Sequence, residues 1–433
     1  MRSWQALKIN RDSAWHNAET QKEVRPVRPW RLLFTRDFGL IWLSQLVSQV
    51  GDGISNLALL WFVYSITGSP VKTTIIGLLH TIPPIVLGPL IGVYVDRLPK
   101  KFFLIGSNVL RAVLIGIIPC AIQTDHFTVN LLYGLVLLDA VAVAMFNPAL
   151  TSSVPLIVPR AQFTAANAFI QSTTSLGIIF GPALSGLGIA FFGSQEVLCL
   201  NAVTYFVAAL CLGLVRLGTG QSSVKPMKTS SSALQDFREG LAFIVMKQRV
   251  IMLLIVTAGC YAFGASALTT LFPVFARKLL GVGPVEVGYL WSALGVGLLI
   301  MSMVLLLFTE WNVSDRTRII AGASVASALA IGVLIWTNNL FLVGLLMIVI
   351  GGGMGAFTPV AWGIIQELTP GNLIGRVMSL YSTGAMTAAI SGISMFGWIT
   401  ERLGESNGVT GIGATFLLTA SLGGWLSWSI RNR

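Results

Sequence analysis

Three residues that are charged at neutral pH stand inside long apolar stretches of the sequence, namely Asp52, Arg111 and Asp139. A charge in the interior of a membrane costs about 3 kcal/mol on insertion scales, and such residues usually pair with one another, face water or carry protons. All three lie in the first half of the chain, whereas the second half has no acid or base deep within an apolar stretch. We therefore expect any proton coupling to be carried by the first half.

Asp52 lies on a polar stripe of its predicted helix. Gln45, Gln49, Asp52 and Asn56 share one helical face, and leucine, valine and isoleucine lie opposite. A helix that faces lipid would not keep such a stripe, so the pattern predicts a water-filled cavity with Asp52 as a proton or cation site. The alternative is that Asp52 is a fixed partner of Arg111 or makes a packing hydrogen bond.

Arg111 and Asp139 each have two possible roles. Arg111 could hold a carboxylate in its charged form, or release it when that carboxylate is protonated. Asp139 has mostly apolar neighbours along its own helix, an environment typical of carboxyl groups that exchange protons. A structural hydrogen bond from Asp139 to another helix is the alternative.

The elements that must position these residues are twelve apolar stretches, each long enough to cross the ~30 Å core of a bilayer. Of the 433 residues, 54% are hydrophobic and 10% are charged, where a soluble domain has roughly 25% charged residues. The sequence therefore predicts an all-α membrane protein with twelve transmembrane helices. The approximate limits of the stretches are 38–66, 74–94, 102–122, 131–152, 168–192, 198–215, 250–275, 286–308, 319–337, 340–363, 377–400 and 410–430.

Several other kinds of site are excluded. The four cysteines lie inside apolar stretches without a CxxC pair, so neither a disulfide framework nor a zinc site is expected. The three histidines are scattered, and no phosphate-binding loop occurs. Since no His, Cys or carboxylate constellation stands at a membrane face, we expect no catalytic residues, no metal and no cofactor, and we predict that the chain is not an enzyme.

An internal repeat divides the chain. A Phe-x-Pro motif followed eleven residues later by another proline occurs from Phe146 to Pro159 and again from Phe357 to Pro370, an offset of 211 residues. The repeat predicts two six-helix bundles related by duplication. The expected units are a tail over 1–36, a bundle over 37–216, a linker with an amphipathic surface helix over 217–249 and a second bundle over 250–433.

The basic residues are distributed unequally about the predicted membrane. Of 28 Lys and Arg residues, 23 fall on the side that holds both termini and the central linker, and 4 fall on the other side. By the positive-inside rule, both termini are cytoplasmic. The net charge of +11 is thus a sign of topology rather than of a nucleic-acid partner, and we expect a multi-pass protein of a bacterial cytoplasmic membrane.

Two motifs in these elements are specific. Residues 92–101 read GVYVDRLPKK and residues 177–186 read GIIFGPALSG. With the twelve stretches, they resemble the major facilitator superfamily over about residues 36–430, with Pro99 and Ser185 in place of usual glycines. Further similarity is to the branch of drug and siderophore exporters related to macrolide efflux proteins and the enterobactin exporter. It rests on Arg36-Asp37-Phe38, Gly51-Asp52, Val158-Pro159, Ala166-Asn167-Ala168, Asp236-x-x-x-Gly240 and Gly375-Arg376-Val-Met-Ser379.

The resemblance implies roles for both motifs. The first would form a cytoplasmic gate that breaks during alternation, through Gly92, Asp96, Arg97, Lys100 and Lys101 against Gly375 and Arg376. The second would form an antiporter-type helix that limits leak, through Gly177, Gly181, Pro182 and Gly186. The alternatives are that the basic residues only set orientation and that the glycines only allow close helix packing.

Polar and aromatic positions on inner helices are the candidates for a substrate cavity, although hydroxyl stripes often serve interhelical hydrogen bonds instead. The candidates are Gln45, Gln49, Asn56, Tyr261, Trp362, Thr383 and Thr387. Because the second half lacks an intramembrane charge, an amphipathic or apolar compound is a better fit than a strongly anionic one.

These observations predict a secondary active transporter. It would export a hydrophobic or amphipathic small molecule, such as a drug, macrolide or siderophore, in exchange for protons by alternating access. The proton gradient would supply the energy, and the partners would be the substrate, protons and lipid, with the chain a monomer. The alternatives are an uptake symporter of the same fold and a non-transporting membrane partner or sensor.

Overall fold

The protein is a bundle of twelve long helices in a computed structural model that describes residues 29–97, 99–124, 127–159, 162–216, 242, 248–306, 312–370 and 373–431. No strand occurs within these ranges. Eleven of the helices are long and apolar enough to cross a membrane. The helices are α1 (Arg36–Thr67), α2 (Pro70–Arg97), α3 (Lys100–Gln123), α4 (Val129–Ile157), α5 (Phe163–Phe191), α6 (Ser194–Leu214), α7 (Arg249–Phe275), α8 (Pro284–Leu306), α9 (Val313–Leu334), α10 (Leu340–Leu368), α11 (Ile374–Leu403) and α12 (Glu405–Arg431).

The predicted stretches match these helices in number and order. The expected tail and the expected amphipathic linker helix fall largely outside the described residues. A short 3-10 helix, Pro29–Phe34, precedes α1. In this short helix Leu32 is buried and Phe34 is exposed. In the second half of the chain, a π-helical turn, Ala276–Leu280, extends α7.

The internal repeat is visible in the helix limits. Helices α4 and α10 both have 29 residues and begin 211 positions apart, at Val129 and Leu340. Both end where the repeated motif has its second proline. The residue before a proline is driven out of the helical region by steric contact, and Val158 and Thr369 are extended with ψ of 133° and 128°. The repeated prolines therefore set the ends of these two helices.

The helices pack as two groups, α1–α6 and α7–α12, which are called the first and second bundles. Helices α1 and α5 pack together in the first bundle, and α7 and α11 pack together in the second. The bundles meet mainly through α2 against α11 and α5 against α8. The remaining helix, α11 (Ile374–Leu403), is not apolar enough to count among the eleven that could cross a membrane, and it packs against both α7 and α2.

The bundles are joined at the membrane side opposite both termini, which is called the far end. Glu401 of α11 accepts hydrogen bonds there from Ser69 Oγ at 2.5 Å and from the backbone N–H of Val71 at 2.9 Å. The guanidinium of Arg277 lies 5.3 Å from the ring centre of Trp61, a cation–π distance. These contacts cross from one bundle to the other, so the far end is closed.

Candidate functional site

The three intramembrane charges meet in one cluster inside the first bundle. Asp52 lies on α1, Arg111 on α3 and Asp139 on α4, and Tyr205 of α6 completes the set. Among the residues whose side-chain burial the structure describes, Arg111 and Asp139 are the only charged ones that are buried. Because four helices each supply one member, the cluster depends on the packing of the whole first bundle.

The Arg111 guanidinium is the centre of the cluster. Its Nε and Nη2 donate to the two carboxylate oxygens of Asp139 at 2.9 and 3.3 Å, a bidentate arrangement. The same Nη2 donates to Asp52 Oδ1 at 2.7 Å and to the Tyr205 hydroxyl at 2.7 Å. The Tyr205 hydroxyl in turn donates to Asp52 Oδ1 at 2.5 Å. One guanidinium thus holds two carboxylates.

The two carboxylates differ in exposure. The Asp139 side chain is 2% exposed, whereas the Asp52 side chain is 30% exposed. A polar cavity of about 260 Å³ opens beside the cluster, and both carboxylates line it. Its other lining residues are Ser55, Asn56, Leu59, His80, Arg111, Ile115, Val143 and Tyr205. Asp52 is therefore the more accessible carboxylate, and Asp139 is the more firmly held.

Sequence reasoning identified the three charges but not their full pairing. Asp52 pairs with Arg111, as one of the two interpretations of Asp52 proposed. Asp139 bonds to another helix, as one of the two interpretations of Asp139 proposed, and its partner is also Arg111. The apolar neighbours of Asp139 along α4 give no sign of this, because the partner comes from another helix. Whether either carboxylate exchanges protons stays a prediction.

Two residues of the site, Tyr205 and His80, were missed. Tyr205 follows Asn201 by four positions on an apolar helix, and both side chains are buried, so the stripe criterion applied to α1 would have found them. His80 stands inside an apolar stretch, and the rule that intramembrane ionisable residues are functional candidates covers histidine as well.

The polar stripe of α1 divides between two surroundings. Asp52 and Asn56 line the cavity. Gln45 is buried, and its Oε1 has no partner within the described residues. Gln49 faces α5, because a Cβ added at Gly177 would lie 2.8 Å from the Gln49 carbonyl carbon. The polar stripe of α1 therefore faces the interior of the first bundle.

The loop motif after α2 is described only in part. The helices that contain Gly92, Asp96, Arg97 and Gly375 are described, but the side-chain surroundings of these four residues are not. The half-buried Arg376 lies in the first turn of α11. The two lysines are described, and both bind within the first bundle. Lys100 Nζ donates to the Ser152 carbonyl at 2.9 Å, and Lys101 Nζ donates to the carbonyls of Gly213 and Val215 at 2.7 and 2.9 Å.

The position of Lys101 is electrostatically favourable. Gly213 and Val215 lie at the end of α6 (Ser194–Leu214), where free carbonyls carry partial negative charge and attract cations. Both lysines therefore tie α3 to neighbouring helices of its own bundle. The proposed gate contact across the bundles stays a prediction for Asp96 and Arg376.

The glycine motif of α5 serves two helix contacts. Added Cβ atoms at Gly177 and Gly181 would meet α1, the latter at 2.6 Å from Gly53 Cα. Gly186 and the carbonyl of Pro182 instead lie against Gly288 at the start of α8. One face of α5 thus closes the first bundle and the other joins the bundles.

Ser185 stands where the motif usually has a glycine, and its side chain makes a hydrogen bond to another helix. Its Oγ donates to the carbonyl of Ile54 on α1 at 2.8 Å, and the side chain is fully buried. The departure from the usual glycine therefore adds an interhelical hydrogen bond rather than leaving a gap.

The substrate candidates of the second bundle are not gathered in one contact group. The Tyr261 ring stacks on Phe357 at 4.2 Å, and its hydroxyl donates to the Met354 carbonyl at 3.1 Å. Trp362 is 43% exposed. Thr383 and Thr387 are exposed on α11, and the Thr387 hydroxyl donates to the Thr383 carbonyl at 2.8 Å. Tyr261 is thus committed to packing, and the other three keep accessible surfaces.

Comparisons with known proteins agree with this architecture. The family model described as Major Facilitator Superfamily matches residues 41–393. Macrolide efflux protein A of Streptococcus pyogenes is 24% identical over 383 residues, which are 87% of this chain and 92% of that protein. Multidrug efflux pump Tap of Mycolicibacterium fortuitum is 25% identical over 398 residues, which are 87% of this chain and 91% of that one.

A solved structure shares the fold. It is a bacterial homolog of the human lysosomal transporter Spinster in an inward-facing and unoccupied conformation, with a TM-score of 0.69 and 14% identity. The match covers 92% of this chain and 99% of that one. At this identity the likeness concerns the fold alone.

Proposed function

Because the chain belongs to the major facilitator superfamily and is a membrane transporter, we propose that it exports a hydrophobic or amphipathic small molecule in exchange for protons. The family and the relatives are transporters, so the prediction that the chain is not an enzyme is confirmed. The observation that carries the proposed coupling is the cluster of Asp52, Arg111 and Asp139 beside a polar cavity.

The cost of burying this cluster supports a functional role. Removing two carboxylates and a guanidinium from water is expensive, and apolar residues of similar volume often stabilise a protein at least as well. Intramembrane charges are accordingly retained where ions or protons move. The partly exposed Asp52 gives the cluster access to the cavity.

The contacts between the bundles support alternating access. The far end is closed by polar contacts such as those of Glu401 with Ser69 and Val71. Hydrogen bonds of this kind can open without disturbing the packing inside either bundle. In the orientation that the positive-inside rule predicts, the far end faces the cell exterior. In this proposal the contacts at the far end then belong to a state that is closed to the outside.

The export direction is supported by the relatives, which are named as macrolide and multidrug efflux proteins. An apolar or amphipathic substrate fits a second bundle whose candidate contacts are Trp362, Thr383 and Thr387, a set without formal charge. A macrolide is accordingly a suitable first probe.

Everted membrane vesicles that contain the chain test this proposal. Respiration would first acidify the interior of the vesicles. Erythromycin, ethidium and other amphipathic compounds would then be added one at a time. We expect at least one compound to be taken into the vesicles and to release protons from them, and vesicles without the chain serve as the control.

The alternatives predict different outcomes. A compound that leaves everted vesicles together with protons would indicate an uptake symporter. No compound-dependent proton movement across the panel, together with unchanged drug sensitivity of cells that lack the gene, would favour a non-transporting membrane partner.

A further inference from the structure

The cavity beside the charged cluster contains a ring nitrogen that no described residue satisfies. His80 of α2 lines this cavity, and its Nε2 is fully buried without a hydrogen-bond partner within the described residues. Ser55 Oγ, in the same cavity, is likewise buried and unpartnered. Buried polar atoms are nearly always hydrogen-bonded, so two exceptions in one cavity call for an explanation.

The charges that line the cavity do not balance. Asp52 and Asp139 are two carboxylates, and Arg111 is one guanidinium, so the ionised cluster carries a formal charge of −1. An imidazolium at His80 would bring the cavity to neutrality. The titratable groups of the described residues that line this cavity with it are Asp52 of α1, Arg111 of α3, Asp139 of α4 and Tyr205 of α6.

Three of the four carboxylate oxygens of the cluster are poorly placed to accept the proton, and the fourth, Oδ2 of the partly exposed Asp52, is the alternative proton site. Both oxygens of Asp139 accept bonds from Arg111, and Oδ1 of Asp52 accepts from Arg111 and from Tyr205. A proton on any of these three oxygens would displace a charge-assisted hydrogen bond. At His80 Nε2 a proton displaces no bond within the described residues.

We propose that His80 binds and releases the transported proton, with Asp52, Arg111 and Asp139 as its fixed counter-charge. This rests on the proposed proton-coupled export. The Nε2 lone pair takes a proton from a hydronium ion, which leaves water and an imidazolium, and the imidazolium gives the proton back to water as hydronium after the bundles reorient. The ion pairs of Arg111 stay intact in both states.

Nitrogen NMR of the full chain with ¹⁵N-labelled histidine tests proton binding without any substrate. The sequence has three histidines, so the His80→Gln variant assigns the His80 signals by their loss. A thermal unfolding transition of the purified variant that matches the wild type confirms that the variant folds. We expect the His80 nitrogens to change from the neutral to the imidazolium pattern as the pH is lowered from about 8 to about 4.

The Asp52→Asn variant adds a test of the counter-charge. It removes one negative charge from the cavity, so we expect the protonated fraction of His80 at a fixed pH to fall several-fold. The proposal would be overturned if the His80 ring stays neutral throughout the pH range measured, or if its protonated fraction is the same in Asp52→Asn as in the wild type. Either result would count whether or not the chain transports anything.

Efflux of erythromycin from proteoliposomes tests the transport role. We expect an imposed pH gradient to accelerate efflux by the wild type about tenfold and efflux by His80→Gln less than twofold. Ser55→Ala is the matched control, since it removes the other unpartnered atom of the cavity but no titratable group, and its gradient dependence should persist. A gradient dependence that persists in His80→Gln would overturn the proposal.

The two measurements separate this proposal from the proposed function. Wild-type efflux that ignores the pH gradient would refute proton coupling and, with it, the transport role of His80, even where the ring titrates. A ring that never titrates in a chain with gradient-driven efflux would refute His80 alone.

Discussion

The two bundles share a helix plan but bury different chemistry. The first bundle buries Arg111 and Asp139 in a cluster with Tyr205. In the second bundle, the described interior uses aromatic stacking, as between Tyr261 and Phe357, and hydroxyls that bond to their own helix. Since the repeat gives both halves the same helices, the interior charges of the first bundle are not a requirement of the fold.

Close helix packing, in contrast, is common to both bundles. Gly181 of α5 lies against Gly53 of α1, and Gly392 of α11 lies against the Phe263 carbonyl of α7. These helix pairs occupy corresponding places in the repeat. The comparison therefore predicts that substitutions at charges should affect the bundles differently, and that substitutions at packing glycines should affect them alike.

The largest expected effect is that of Arg111→Met. The substitution leaves the buried Asp139 and the partly exposed Asp52 without their partner, which should lower the free energy of unfolding by about 3–5 kcal/mol. In the second bundle, the Arg316–Glu367 pair is half-exposed, with a side-chain exposure of 27% and 50%. Arg316→Met should cost less than about 1 kcal/mol.

Denaturant unfolding in detergent micelles measures both variants. Equal losses would contradict the claim that only the first bundle depends on an interior charge.

Glycine substitutions should give the next largest effect. Gly181→Leu and Gly392→Leu both force a side chain against another helix and should each destabilise by about 3 kcal/mol or less. Gly134→Ala is the control, because an added Cβ there meets nothing within 4 Å, and it should be neutral or stabilising by up to about 1 kcal/mol. Thermal unfolding of the purified variants measures the three changes. A large loss in only one bundle would show that the packing is not equivalent.

A matched pair of tyrosine variants isolates the contribution of the cluster. Tyr205→Phe removes a hydroxyl that bonds to Arg111 and Asp52. The free energy of unfolding should therefore fall by about 2 kcal/mol, as for hydrogen bonds to charged groups. Tyr261→Phe removes one bond to the Met354 carbonyl and should cost about 1 kcal/mol.

Efflux measurements sharpen this pair. Tyr205→Phe should change the dependence of efflux on pH, and Tyr261→Phe should leave that dependence unchanged. The opposite pattern would place the coupling site in the second bundle.

The smallest effect is expected at the far end. Glu401→Gln weakens the hydrogen bonds to Ser69 and Val71, each charge-assisted in the wild type. The fraction of molecules open at this end should therefore rise about fivefold, which corresponds to a change of about 1 kcal/mol in the free energy of opening. Distances between spin labels at positions 72 and 402 report the opening. Glu196→Gln, at an exposed carboxylate at the start of α6, is the control and should leave the distances unchanged.

Local sequence rules accounted for the helices well. The apolar stretches predicted all twelve helices, although the fourth and tenth stretches, given as 131–152 and 340–363, stop short of the ends of α4 and α10 at Ile157 and Leu368. The prolines at 159 and 370 set those ends, because the effect of a proline on the preceding residue is local. The glycine motif of α5 also indicated close packing, although its division between α1 and α8 depends on the positions of both neighbours.

The site was predicted in part, for a physical reason. Periodicity within one helix identifies a polar face, as it did for Asp52 on α1, but it does not say which residue of another helix lies opposite. The bidentate pairing of Arg111 with Asp139 and the bridging hydroxyl of Tyr205 arise only when α3, α4 and α6 are packed together. His80 was passed over because a lone histidine in an apolar stretch gives no periodic signal.

The central claim is that the interior charges of the first bundle couple transport to protons. A variant with Asp52→Asn, Arg111→Gln and Asp139→Asn removes all three charges together, so no buried charge is left unpaired to prevent folding. The control is Thr383→Val with Thr387→Val in the second bundle. Proton release driven by erythromycin in everted vesicles should be lost in the triple variant and retained, with altered concentration dependence, in the control. Proton release that persists in the triple variant would contradict the account.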